Sequence, residues 1–243
     1  MALNTILSHP DQDSYVTVAE ADSYLSIKTQ HTIWSSLNTT AKEGYLRQAA
    51  IQMDSFRYKS IKLYERAKDY RQDQGLAFPR YFFEDLFQGR VVSATATTFV
   101  IHDYLTSENT PNDVFNGGSV IIQEGTGKGQ TVAITDWVYS TGTGTVASWT
   151  TRPDSTSQVL LVLPIDKKVK YAQMEQAFFL AELQNSNIEE ILLGISSYKI
   201  GDLAETYDYR AMASNLLVNG VPFSQSAQGF LKGLIDRTGY IAY

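Results

Sequence analysis

Few residues of this 243-residue chain stand at the spacings that chemistry requires. The run Gly125-Thr126-Gly127-Lys128-Gly129-Gln130 comes nearest to a phosphate loop. Such a loop needs a glycine five places before its Gly-Lys step and a hydroxyl directly after it, to cradle phosphates and hold magnesium. Ile122 and Gly129 occupy those places, and the flanks read as strands, so the run is expected to be a hairpin turn. His9, His31 and His102 lie far apart, without the close pair that imidazole zinc sites usually show, so no metal is expected. Glu84-Asp85 and Glu189-Glu190 are sequence neighbours, and neighbouring carboxylates seldom converge on one substrate. They read as solvated loop or helix-start residues. No Gly-x-Ser-x-Gly elbow occurs, and there is no cysteine to act as nucleophile, thiolate ligand or disulfide. The expectation is a protein without catalytic residues or cofactor, not an enzyme.

The elements that would position any site fall into two kinds. Thr17 followed by Glu20 forms a capping box, which predicts a helix from there to about Ile27. A second box, Thr40 with Glu43, predicts a helix to about Arg57 with Leu46, Ala49, Ala50, Met53 and Phe56 on one apolar stripe. Residues 58–74 are charged and mixed in sign, either a solvated extension of that helix or a loop. Phe78, preceding Pro79, ends the segment, because a residue before proline is pushed out of the α region. From Val91 to Leu163 the composition changes to fourteen threonines and seven glycines with two basic residues, Lys128 and Arg152. Strands are predicted at 98–101, 119–122, 131–137, 145–147 and 159–162, at the spacing of a small barrel or sandwich. Helical period resumes after Pro164, with Asp166 as N-cap and an apolar face through Val169, Ala172, Ala177, Leu180 and Leu183. Residues 196–200 and 203–207 flank Gly201-Asp202 as a hairpin. A loop at 219–222 and a short helix near 224–237 close the chain.

Charge and composition narrow the function classes. A formal charge of −6 is the wrong sign for a dedicated nucleic-acid binder, although an acidic wall would keep passing DNA from sticking. Lys59, Lys62, Arg66, Lys68 and Arg71 cluster, but Glu65, Asp69 and Asp73 interleave with them. The start of the chain has no basic, apolar leader pattern, and no run is apolar enough to span a bilayer, so neither a signal peptide nor a membrane span is expected. Fifteen tyrosines suit protein interfaces, where an apolar ring with a polar tip is at home. Trp137, Tyr139 and Trp149 are the candidate interface aromatics of the β-region.

Three stretches carry a resemblance. Residues Ser14-Tyr15-Val16-Thr17-Val18-Ala19-Glu20-Ala21-Asp22-Ser23-Tyr24 resemble the opening of tailed-phage head–tail connector adaptor proteins, a family often labelled DnaT-like single-stranded DNA-binding. Gln74-Gly75-Leu76-Ala77-Phe78-Pro79-Arg80 is similar to that family's Leu-Ala-Trp-Pro-Arg signature, with Phe78 in the tryptophan place. Leu163-Pro164-Ile165 with the following helix, and Ser197-Tyr198-Lys199-Ile200-Gly201-Asp202-Leu203, resemble its closing helix and hairpin. The chain departs from the pattern in the long insertion between Arg80 and Leu163, itself similar to small β-modules of phage structural proteins.

The resemblance implies an α+β chain. A mainly α-helical adaptor bundle with a β-hairpin (residues 1–90 and 164–243) would be interrupted by an inserted all-β domain (91–163). It implies a structural virion protein of the neck, assembled in the host cytoplasm. Its copies would form a ring, usually dodecameric, beneath the portal and above stopper, tail or nozzle proteins, with packaged DNA passing nearby and no membrane involved. Tyr240, Ile241, Ala242 and Tyr243 would then be the portal-contacting tail. The alternatives are a single-stranded nucleic-acid-binding module or a carbohydrate-binding protein using the β-domain.

Overall fold

The computed structural model describes residues 2–62, 74–81, 87–101, 111–184, 197–200, 203–206, 217–218 and 221–236. The chain divides into two compact units, one of Met1–Leu3, Val16–Tyr58 and Lys167–Tyr243, the other of Asn4–Tyr15 and Lys59–Asp166.

The first unit is built on helices. α1 (Val18–Leu25) starts where its capping box says it must: the Thr17 hydroxyl accepts the Glu20 N–H, while the Glu20 carboxylate accepts the Thr17 N–H at 2.8 Å. α2 (Thr32–Ser35) is a single turn that buries Trp34. α3 (Thr39–Asp54) begins two residues earlier than the Thr40–Glu43 box would place it. Asn38 is the cap, its side chain accepting the Ala41 N–H at 2.8 Å, and Glu43 instead pairs with Arg47 one turn on. Leu46, Ala49, Ala50 and Met53 are buried as their spacing predicts. α4 (Lys167–Gln184) is the central helix, buried on every side from Ala172 to Phe178 and packed against both α3 and α5 (Gln225–Leu231). Val16, Leu25, Trp34, Leu46, Met174 and Phe178 lie in one core cluster. Each such large side chain contributes about 1.5–3 kcal/mol on leaving water.

The second unit is a closed antiparallel barrel of six strands. These are β3 (Phe87–Ala94), β4 (Thr98–Ile101), β5 (Ser119–Glu124), β6 (Thr131–Val138), β7 (Thr143–Val146) and β8 (Gln158–Val162), in the order β3-β4-β7-β6-β5-β8. β5, β6 and β7 follow one another, and β8 returns to lie beside β5, which is a Greek-key path. Val91, Phe99, Val120, Ile134, Trp137, Val146, Val159 and Leu161 fill the interior. Threonines such as Thr98, Thr143 and Thr145 alternate with buried neighbours. Gly144 has to be glycine, since a Cβ there would lie 2.4 Å from the Phe99 ring. β5 and β8 are buried on both faces, with Ile121, Leu160 and Val162 forming a separate cluster. The Ser119 hydroxyl donates to the Leu7 carbonyl at 2.8 Å, tying β5 to the segment Asn4–Tyr15. The Gly125–Gln130 run is the β5–β6 hairpin turn, with Gly125, Gly127 and Gly129 all at positive φ.

The remaining strands are three two-stranded antiparallel pairs. β1 (Ile61–Lys62) pairs with β2 (Arg80–Tyr81), and β9 (Ser197–Ile200) with β10 (Leu203–Thr206) in the expected hairpin. β11 (Leu217–Val218) pairs with β12 (Val221–Pro222) where a loop was expected.

The expectation of a mainly α-helical bundle is corrected by this architecture. The described helices are few, and the dominant element is the closed six-stranded barrel. The error has a local cause. β3 starts at Phe87 inside the stretch assigned to helices, and its exposed Ser93, directly after the exposed Val92, breaks the alternation that marks a strand. A register shift between Val91 and Ser93 adds one residue to the period.

Candidate functional site

The two signature stretches of the sequence meet through Tyr15 and Phe78. The Phe78 N–H donates to the Tyr15 hydroxyl at 3.2 Å, and the two rings pack edge to face at 5.9 Å. Gly75 lies so close to the segment before Tyr15 that a Cβ would sit 2.6 Å from the Pro10 carbonyl oxygen and 2.7 Å from that of Gln12. Its N–H donates to the His9 carbonyl. The buried Gln74 amide donates to the carbonyls of Leu76 and Pro79, and the Phe78–Pro79 peptide is cis. Arg80 donates from its guanidinium to the Lys59 and Ser60 carbonyls. The Tyr15 hydroxyl, the Gln74 amide nitrogen and the Arg80 guanidinium hold backbone, while the buried Gln74 amide oxygen has no hydrogen-bond partner among the described residues.

A second concentration of polar groups lies inside the helical unit, on α4. Gln173 and Gln176 are fully buried. Gln173 donates to the Leu46 carbonyl of α3 at 2.9 Å. Gln176 donates to the Gln52 side chain at 2.6 Å and to the Pro222 carbonyl at 3.0 Å, and accepts the Ser224 N–H at 2.7 Å. Ser224 in turn caps α5. One amide therefore pins α3, α4 and the start of α5 together.

Glu175, 5% exposed, takes the Tyr24 hydroxyl at 2.7 Å on one oxygen and the Lys28 ammonium at 2.6 Å on the other. Burial, reinforced by that hydrogen bond to Glu175, pushes the Tyr24 phenol well above its ordinary range. The Lys28 ammonium also stands over the Phe178 ring, 5.1 Å from its centroid. These groups line a cavity of about 470 Å³ together with Phe179, Glu182 and the first residues of α5. Burial pushes the Glu182 carboxyl up, Lys28 opposes that, and Glu175 adds to it. In the cavity charged, aromatic and hydroxyl-bearing residues converge. Spacing gave no sign of it. The signal available was the row of polar residues, Gln173, Glu175 and Gln176, inside an otherwise apolar helix.

The sequence-predicted residues are placed as follows. Trp137 is 1% exposed in the barrel interior, and Trp149 is half-buried against the same core through an edge contact with Phe99. Tyr139 is half-buried at the end of β6. The barrel thus uses Trp137 as core and not as surface. Tyr240, Ile241, Ala242 and Tyr243 lie outside the described residues, as do His102, Glu84-Asp85 and Glu189-Glu190. His9 accepts the Asp11 N–H on Nδ1, and the exposed His31 bonds the Lys28 carbonyl. No three His, Cys, Asp or Glu side chains gather as a metal site among the described residues. Nor is any described helix long and apolar enough to cross a membrane.

A family model described as putative DnaT-like ssDNA binding protein matches residues 1–99. The matched span holds α1 to α3, the Tyr15–Phe78 joint and the first barrel strand, β3, and ends within β4. No curated protein and no solved structure matches the chain.

Proposed function

We propose that this chain is an architectural subunit, an adaptor that joins copies of itself into a ring at the neck of a tailed phage. On this reading it sits beneath the portal, hands the DNA channel on to stopper or tail proteins, and performs no catalysis. The observation that carries the reading is the Tyr15–Phe78 joint. Two of the three stretches that bear the resemblance meet there, and the hydrogen bonds between and within them hold backbone. The acidic balance agrees, since a channel wall of that sign lets DNA slide.

The single-stranded nucleic-acid reading has the more direct support from the family description, which names that activity for residues 1–99. Its physical requirements are a basic groove and exposed rings on which bases stack. Among the described residues every phenylalanine, tyrosine and tryptophan whose side chain is placed is buried or half-buried. In the helical unit Lys28, Lys42, Arg47, Arg57 and Lys170 are each engaged by a carboxylate. These features favour the architectural reading.

One pair of measurements separates the two. Native mass of the full chain, alone and with the portal encoded beside it, should reveal a ring-bearing complex. Anisotropy of a labelled single-stranded oligonucleotide should show no binding at physiological salt. A chain that ignores the portal, yet binds the oligonucleotide with a steep salt dependence, would replace the adaptor by the nucleic-acid module.

A further inference from the structure

The cavity beside α4 is unequal in charge. Glu175 already has both oxygens occupied, by the Tyr24 hydroxyl and the Lys28 ammonium, so that pair is internally balanced. Lys28 is committed further by its position over Phe178. Glu182 lines the same cavity, half-buried, and has no hydrogen bond or ion pair among the described residues. It is a carboxylate held partly out of water, under the influence of both the Lys28 ammonium and the Glu175 carboxylate, so the cavity carries two carboxylates against one ammonium and has room in its charge balance for one more cation. Phe178, Phe179, Ser224 and Ser226 line the same cavity. A carboxylate and aromatic rings lining one cavity match a cation on a short apolar stem. The stem would lie on the rings and the charge would meet the carboxylate. About 470 Å³ is ample for such a group and falls within the range of small-ligand sites.

We propose that this cavity binds an organic monocation with a short alkyl stem, an alkylguanidinium or alkylammonium, through Glu182 and the Phe178–Phe179 wall. The cation is either a free amine or the end of an arginine or lysine side chain from a second copy of the chain. The chemistry is the same in both cases, and the ring reading is not needed for it.

The test is calorimetric titration of the full-length protein with butylguanidinium and with butylurea, its neutral isostere. The charged probe should bind about tenfold more tightly than the neutral one, as for one partly buried charge pair. Glu182→Gln should erase most of that preference while leaving the thermal midpoint unchanged. Equal affinity for the two probes, absence of binding by the charged probe at millimolar concentration, or a preference that survives Glu182→Gln would each overturn the proposal. Sedimentation identifies the source. If butylguanidinium and Glu182→Gln both reduce self-association, the natural occupant is a side chain of a second copy. Titration without any change in sedimentation assigns the site to a free cation.

Discussion

Replacing Gln176 by leucine removes one side-chain amide that makes three hydrogen bonds and leaves their partners behind in a nearly dry core. The Ser224 N–H is the most costly, because Ser224 is 7% exposed and the donor loses its acceptor. An orphaned buried donor costs about 1–3 kcal/mol. The Pro222 carbonyl and the Gln52 side chain are half-buried and recover part of their bonding from water, so each adds about 0.5–1 kcal/mol. The leucine supplies apolar contact in return but cannot bond any of the three. The expected loss is about 2–4 kcal/mol. For a chain of this size that lowers the thermal midpoint by roughly 4–16 °C, at about 2–4 °C per kcal/mol. Gln173→Leu is the comparison, since the Gln173 amide ties α4 to the Leu46 carbonyl of α3, and its loss is expected to be the smaller of the two. The assay is urea unfolding followed by circular dichroism at the helical band. Equal losses for the two variants, or a Gln176→Leu loss under 1 kcal/mol, would refute the view that Gln176 is the fastening point of α3, α4 and α5.

Four further predictions concern the scaffold. Gly75→Ala drives a Cβ against the Pro10 and Gln12 backbone, which cannot swing aside as a side chain would, so it should unfold or strongly destabilise the barrel unit. Gly229→Ala meets nothing within 4 Å on α5 and should raise stability by about 0.5–1 kcal/mol; both are read by differential scanning calorimetry. Thr17→Ala removes the α1 cap at a cost of about 1 kcal/mol in urea unfolding. Burial alone would raise the Glu20 carboxyl, but the Lys170 and Thr17 contacts outweigh it and hold the group below its ordinary 4.5. A carboxyl lowered by folding stabilises above the unfolded value and loses that contribution as pH falls through the folded one. The deficit of Glu20→Gln should therefore be full at pH 7 and shrink progressively below about pH 4.5. A deficit independent of pH would refute the assignment.

The elements set by local chemistry could be read from the chain alone. Thr17 and Glu20 announce α1 because a capping box is satisfied within four residues. Thr98–Ile101 and the glycine turn at 125–130 show the same locality, since pleat alternation and positive φ are properties of single residues and their neighbours. What needed the tertiary structure were features whose cause lies far along the chain. β3 escaped because a bulge broke its period, and the barrel closes only through its pairing with β8, some seventy residues later. Gly75 looks like any loop glycine until the Pro10 carbonyl is brought against it. The charged cavity depends on residues from three distant segments, Lys28, Glu175 with Glu182, and Ser224 with Ser226, which no spacing rule connects. Only packing around α4 makes a site of them, because proximity there is created by the burial of its apolar surface and not by the order of the chain.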